Sequence, residues 1–237
     1  MDLNPDKCFV MTFARSRSAL EYGYAVGGAH LKRVESAKDL GIIMVPNLDP
    51  REHLQHISKK ANASLGFVIR ASRDGLSVPS LRHIFISLVR SHLEYTSVVW
   101  APFQKNHCDL LERIQIRFLK AVGVRLGFNY REVPVTTLRD ALGLPLLESR
   151  RRYLDLMFLH RLLNGSIDCP DLLGMVDLRV PVGGTRSRDL FGETHQLTSY
   201  GYHSIIPRLL RHGNSVSAQA DFFGSSPTTF KENILHS

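Results

Sequence analysis

Asp49-Pro50-Arg51-Glu52-His53-Leu54-Gln55-His56-Ile57-Ser58-Lys59-Lys60-Ala61-Asn62-Ala63-Ser64-Leu65-Gly66-Phe67-Val68-Ile69-Arg70 marks the point where the chain changes period. Asp49 suits a helix N-cap, and Pro50 suits the first turn, where its missing N–H costs nothing. Glu52 is placed to reach back to the cap. Leu54, Ile57, Ala61, Leu65 and Val68 then recur at helical spacing and form one apolar stripe, while His56, Lys59, Lys60 and Arg70 fall on the opposite face. The helix is expected to fade near Asp74-Gly75.

Before this helix the sequence alternates like a sheet. Lys7-Cys8-Phe9-Val10-Met11-Thr12-Phe13 is rich in strand formers. Its period puts Phe9 and Phe13 on one buried or interfacial face. Gly27-Gly28 suits a hairpin turn between Tyr24-Ala25-Val26 and Ala29-His30-Leu31, and Leu40 to Val45 gives another short strand closed by Pro46-Asn47. Such a small sheet has little of its own to cover it.

Beyond the first helix, a second starts near Val78-Pro79, carries Ile84, Phe85, Leu88, Val89 and Leu93, and runs toward Trp100, where Ala101-Pro102 stops it. A third spans about Asn106 to Val122. Leu110, Leu111, Ile114, Phe118 and Ala121 form its apolar side, beside a basic ridge of Arg113, Arg117 and Lys120. Two further helices are predicted over Val135–Leu142 and Leu146–Leu163, with Gly143 and Gly165 as stops. From Asp168 the pattern weakens: Gly183-Gly184-Thr185-Arg186-Ser187-Arg188 reads as an exposed loop, and one short helix fits Ser204–Arg211. The expected fold class is α+β and mainly helical, a small N-terminal antiparallel sheet followed by a helical bundle. The divisions are a β-rich part over 1–47, a helical domain over 48–125, a helical extension over 126–174 and a loop-rich tail over 175–237.

Composition narrows the function classes. Hydrophobic residues make up 43% of the 237, enough for a buried core, and the formal net charge is +8, which favours an anionic partner such as nucleic acid. Three distant cysteines, Cys8, Cys108 and Cys169, build neither a disulfide framework nor a C-x-x-C pair, so a reducing compartment is expected. No run approaches the roughly 20 apolar residues that span a bilayer. No signal peptide is read at the N-terminus, where Asp2, Asp6 and Lys7 interrupt any apolar core. A soluble intracellular protein without a membrane partner is expected, cytoplasmic or nuclear.

Four stretches, in order, carry a family resemblance. They are Leu3-Asn4-Pro5-Asp6-Lys7-Cys8; Val34 with Ala37-Lys38-Asp39-Leu40-Gly41-Ile42; Leu88-Val89-Arg90-Ser91-His92-Leu93-Glu94-Tyr95-Thr96-Ser97-Val98-Val99-Trp100; and Leu111-Glu112-Arg113-Ile114-Gln115-Ile116-Arg117-Phe118-Leu119-Lys120. Together the chain resembles the C-terminal part of the reverse transcriptase of Jockey-like and related non-LTR (LINE) retrotransposons. The resemblance implies that residues 1–47 are the end of a palm. It further implies that Lys38, Asp39, Leu40 and Gly41 form a primer-grip-like hairpin, and that the later helices are a thumb and its extension. The family places an aromatic-x-Asp-Asp box, which holds the Mg ions of polymerisation, just upstream of the Leu3-Asn4 stretch, and no Asp-Asp pair occurs in this chain. The expectation is therefore a fragment of an RNA-directed DNA polymerase that is not an enzyme by itself and holds no cofactor. It would bind primer–template and have the missing palm and fingers as partners.

The implied thumb gives the basic residues their role. Lys59, Lys60 and Arg70 on the first helix and Arg113, Arg117 and Lys120 on the third are the candidate nucleic-acid contacts, to phosphates and independent of sequence. The plainer alternative for each cluster is a solvated face of an amphipathic helix. Arg150-Arg151-Arg152 spreads round a helix and is weaker. Glu94 is expected to pair with Arg90, and Glu148 with Arg152, each four residues apart. His53 with His56, and His107 with Cys108, lack a second half at zinc spacing, and Ser91 beside His92 points elsewhere on a helix, so no catalytic or metal-ligating residue is assigned. Phe85, Phe118 and Trp100 are expected in the core. The competing function is a domesticated helical module that binds a protein partner through exposed apolar positions. A third candidate, an independent enzyme, finds no catalytic constellation to support it.

Overall fold

Helix α1 (Arg51–Ala71) carries the predicted stripe inward: Leu54, Ile57, Ala61, Leu65 and Val68 are all buried. Its N-cap is Pro50, not the expected Asp49, which lies one residue earlier and accepts the Arg51 N–H at 2.9 Å; Glu52 accepts a hydrogen bond from Ser36 Oγ at 3.0 Å. The computed structural model describes residues 4, 7–14, 20–72, 75–179 and 189–235. Leu3, Pro5, Asp6, Asp74 and the expected loop at Gly183 to Arg188 lie outside them. Helix makes up 55% of the chain and strand 7%, so the class is α+β and mainly helical.

Among the described residues six short strands precede α1: β1 (Phe9–Val10), β2 (Ala25–Val26), β3 (Ala29–His30), β4 (Lys32–Arg33), β5 (Ala37–Asp39) and β6 (Ile42–Met44). They form three separate pairs. β2 and β3 are antiparallel, with Ala25 opposite His30, and turn at Gly27-Gly28. β5 and β6 are antiparallel, with Ala37 opposite Met44. β1 and β4 are parallel, Phe9 opposite Lys32, because the β2–β3 hairpin lies between them and the chain returns in the same direction. Phe9 and Phe13, expected on a buried or interfacial face, are about half exposed. Strands of two residues offer too little apolar surface to recruit a covering layer.

The chain divides into two compact units. The first comprises Met1–Leu93 with Gln104–Val135, the second Glu94–Phe103 with Thr136–Ser237. A ten-residue excursion, Glu94–Phe103, into the second unit interrupts the first.

In the first unit, α1 packs on α2 (Val78–Ile84), on the segment that continues it, and on α5 (Lys105–Arg125). Ser77 caps α2 through the Ser80 N–H. Residues Phe85–Arg90 widen into a π-helical stretch before α3 (Ser91–Glu94) resumes the ordinary pitch. Leu81, Phe85, Val89 and Leu93 recur every four residues, and all four are essentially inaccessible. An α-helix of 3.6 residues per turn would rotate such a series progressively off its face, and a locally underwound helix holds it there. Leu88, expected in the stripe, is instead 43% exposed. Phe85 stacks on Phe118 of α5 at 4.2 Å and 14°, both rings fully buried as expected.

The expected continuation to Trp100 breaks at Thr96, whose φ is 47°, and restarts as α4 (Ser97–Trp100). Trp100 is buried, and its Nε1–H donates to Tyr95 O at 2.8 Å. In the second unit α4 packs on α7 (Leu147–Leu163), which follows α6 (Val135–Ala141, whose first residue still belongs to the first unit). They are followed by α8 (Pro170–Leu173), α9 (Ser199–Tyr202), α10 (Ile205–Val216) and α11 (Pro227–Leu235). Gly143 and Gly165 terminate α6 and α7, as their positions predict. The residues expected as a loop-rich tail contribute α9, α10 and α11, and Phe191, Phe222 and Phe230 join Leu156, Leu159 and Leu209 in the core of this unit.

Two ion pairs knit the second unit. Glu94 accepts from Arg150 through both carboxylate oxygens, at 3.0 and 2.9 Å. Buried Asp155 accepts from Arg208 Nε at 2.8 Å, and His212 Nδ1 lies 3.2 Å from the same carboxylate. The guanidinium of Arg208 also donates to the carbonyl oxygens of His203 and Val98.

Candidate nucleic-acid interface

Helices α1 and α5 lie side by side and run parallel. Arg117 donates to Asn62 Oδ1, and Arg125 donates to Ser72 O at 2.7 Å; Arg51 and Gln55 line a cleft with Lys105 and Arg113. The sequence offset between the facing residues stays near 55 along the whole contact, as only parallel helices allow. Each helix has 21 residues, so the groove between them is about 30 Å long. That is the length of about nine phosphates along one strand of a duplex.

The α5 wall of this groove gathers the predicted ridge. Arg113 lines the cleft at the N-terminal end, about 590 Å³ in volume, with Arg51, Lys105 and the single carboxylate Asp109. Arg117 and Arg125 line a second cleft of about 690 Å³ at the C-terminal end, together with Tyr130. Lys120 stands over the Tyr130 ring at 4.6 Å. On α1, Lys59 and Arg70 are exposed and lie at nearly one helical azimuth, but neither lines either cleft of the groove. Lys60 is rotated about 100° from Lys59 and leaves the groove.

Lys60 instead joins the β5–β6 hairpin. Together with Lys38 of β5 and Lys59, its charge lowers the pKa of His56 below the usual imidazole value, burial contributing first. The hairpin is held to α1 by the Ile43 N–H, which donates to His53 Nδ1 at 3.2 Å. Burial, aided by the neighbouring His56, pushes the His53 pKa down to about 4, so the ring stays neutral and keeps its accepting nitrogen. At the tip, Leu40 and Gly41 both take positive φ, 45° and 91°. This is the geometry of a tight primed turn, which a leucine adopts only under strain. The Leu40 side chain is 83% exposed there. Asp39 and Lys38 flank the tip and are exposed as well.

What distinguishes the six candidate contact residues is their lack of counter-charge. Lys59, Lys60, Arg70, Arg113, Arg117 and Lys120 have no carboxylate partner among the described residues. Arg117 is bonded to a neutral amide and Arg125 to a backbone carbonyl; both bonds orient the guanidinium and leave most of its five donors unused. In the second unit, by contrast, Arg150 and Arg208 are neutralised by Glu94 and Asp155. Sequence reasoning missed Arg51, Lys105 and Arg125. Lys105 and Arg125 continue the helical pattern of Arg113 and Arg117 toward either end of α5, and Arg51 becomes relevant only once the parallel packing is known.

The other candidates for chemistry have structural roles. Ser91 Oγ donates to Ser87 O at 2.6 Å, within its own helix. His107 is buried on α5, and Cys108 is partly exposed. Among the described residues no three His, Cys, Asp or Glu side chains gather as metal ligands, and no helix is long and apolar enough to cross a membrane. In comparisons with known proteins, no family model, curated protein or solved structure matches the chain.

Proposed function

We infer that this chain is the primer–template-binding part of a non-LTR retrotransposon-type RNA-directed DNA polymerase, acting through backbone contacts and carrying out no polymerisation by itself. One observation supports this above the rest: a groove about 30 Å long between two parallel helices, walled by Lys105, Arg113, Arg117, Lys120 and Arg125, with Arg51, which pairs with Asp49 at 3.9 Å, at its N-terminal end and Asp109 the carboxylate lining its clefts. Cations left unneutralised over such a length suit a polyanion whose charges repeat regularly. The β5–β6 hairpin, with Lys38 beside Lys60 and an exposed strained Leu40, lies on the neighbouring side of α1, where the resemblance assigns the primer grip. In the complete polymerase the Mg ions belong to the palm.

The test is binding to an RNA–DNA primer–template titrated over salt. Wild type is expected to lose affinity steeply, and Arg113→Ala with Arg117→Ala to flatten the log–log slope by about 2, at roughly 0.9 per phosphate. Adding Lys59→Ala and Lys60→Ala flattens it further. A folded chain that does not bind, or that binds indifferently to these substitutions, removes the proposal.

A second function, docking of a protein partner, is favoured by one surface. Phe9, Leu20, Tyr22 and Tyr24 are exposed around an open cleft on the N-terminal strands. Association through that face would respond little to salt, which separates the two functions in the same titration.

A further inference from the structure

The two ends of the α1–α5 groove differ in chemistry. The N-terminal cleft is walled by Arg51, Gln55, Lys105, Asn106, Asp109 and Arg113, with only Leu110 and the buried His107 beside them. The C-terminal cleft adds apolar and aromatic surface: Ile69, Ala121, Val124 and Tyr130 face Arg117 and Arg125. α5 ends there in a Schellman cap, with the Phe128 N–H on Gly123 O and the Gly127 N–H on Val124 O, both at 3.1 Å. Gly127 takes φ 95°, which turns the chain back and brings Tyr130 beside Lys120. The Lys120 ammonium anchors the ring, yet Tyr130 remains 53% exposed and Val124 47%.

We propose that this C-terminal cleft is a subsite for a single unstacked nucleobase of a single-stranded segment, stacked against Tyr130, Val124 and Ile69, with its flanking phosphates held by Arg117 and Arg125. A ligand for this cleft needs a planar apolar body and two anionic neighbours, and a nucleotide within a strand supplies both. Duplex supplies only the anions, because its bases are already stacked. The cleft is continuous with the basic track through Arg117, so a strand tracked along α5 arrives at Tyr130 without a change of direction. Tyr130 is a binding residue, and its ring is set before any ligand arrives by the Lys120 contact and the α5 cap. The inference rests on the groove being a nucleic-acid track.

The test uses the full chain and two probes, a blunt duplex and the same duplex with a single-stranded overhang carrying one 2-aminopurine at successive positions. Wild type is expected to quench or shift the fluorophore at one overhang position and to bind the overhang substrate more tightly than the blunt one. Tyr130→Ala is expected to abolish the signal and to weaken overhang binding by about 5- to 100-fold, the scale of one lost base stack. Blunt-duplex affinity is expected to fall less than overhang affinity. Tyr130→Phe is expected to restore both, because the stack needs the ring and not the hydroxyl. Far-UV circular dichroism controls for folding, which truncation of a half-exposed side chain leaves intact. If Tyr130→Ala binds overhang and blunt substrates as wild type does, while Arg117→Ala still flattens the salt slope, the subsite is refuted and the track survives. If neither substrate binds, the track fails and the subsite with it.

Discussion

Replacing His53 by Asn is expected to remove a specific component of acid sensitivity from the first unit. The imidazole is buried and neutral, with Nδ1 accepting the Ile43 N–H, and its pKa is held down to about 4 against 6.5 when exposed. A base with a lowered folded pKa takes up its proton first in the unfolded chain. Its contribution to stability is therefore complete above pH 6.5 and is lost as pH falls from there toward 4. Linkage between these two values puts the loss at about 0.2 kcal/mol at pH 7 and about 2 kcal/mol at pH 5. It approaches about 3 kcal/mol at pH 4. Asn places a non-titrating oxygen where Nδ1 stood and keeps the Ile43 bond. The assay is urea unfolding by far-UV circular dichroism at pH 7, 6 and 5, for both proteins. Exchange of the Ile43 amide serves as the local readout, and fluorescence of Trp100 reports the second unit as reference. The stability of the His53→Asn variant relative to wild type is expected to rise by about 2 kcal/mol between pH 7 and pH 5, whatever the offset at pH 7. Carboxylates titrating in both proteins cancel. Parallel pH curves would refute the burial and the hydrogen bond together.

Two further outcomes concern the second unit, followed by Trp100 fluorescence during urea unfolding. Gly213→Ala adds a methyl that would sit 2.5 Å from Phe191 Cε2 and 3.0 Å from Leu159 Cδ2, so it is expected to destabilise by about 1–3 kcal/mol. Helix propensity alone predicts a gain of about 1 kcal/mol, and a stabilised variant would show that the Phe191 ring is elsewhere. Asp155→Asn strips the charge from beneath Arg208 and His212 and is expected to cost about 3–5 kcal/mol, much of it regained when Arg208→Met is added. Equal costs for the single and double variants would refute the pairing.

Local signals carried much of the fold. The stripe of α1, the Gly27-Gly28 hairpin and the stops at Gly143 and Gly165 each depend on neighbours within a few residues, and each forms where the sequence places it. Features that depend on distant partners were hidden. Glu94 binds Arg150, 56 residues on, a partner that no spacing on its own helix marks. The Asp155–Arg208 pair spans 53 residues, and nothing in either segment marks the other. The core after residue 189 was obscured because Phe191, Phe222 and Phe230 lie in short apolar islands among Gly, Ser and Thr, with no period to read. The every-fourth spacing of Leu81, Phe85, Val89 and Leu93 did contain the signal for underwinding. A conventional helix template shifts that stripe to Leu88 instead. Of the candidate site, Arg113, Arg117 and Lys120 were legible as a ridge because they share one face of one helix. Their partners across the groove depend on packing between helices, which no local pattern encodes.

The chain crosses between its units at residues 93–94, 103–104 and 135–136, and this sets an order on synthesis. The first unit has all its residues once Val135 has emerged. By then Glu94–Phe103 have long been made, but Arg150, Asp155 and Arg208 have not. The looped-out decapeptide must wait, with Trp100 unsheltered, until α7 and then α10 are translated. A ribosome pausing in that interval would hold a finished basic groove beside an unfinished, sticky segment. The nascent chain is thus most exposed to aggregation after the unit that holds the basic groove already has all its residues.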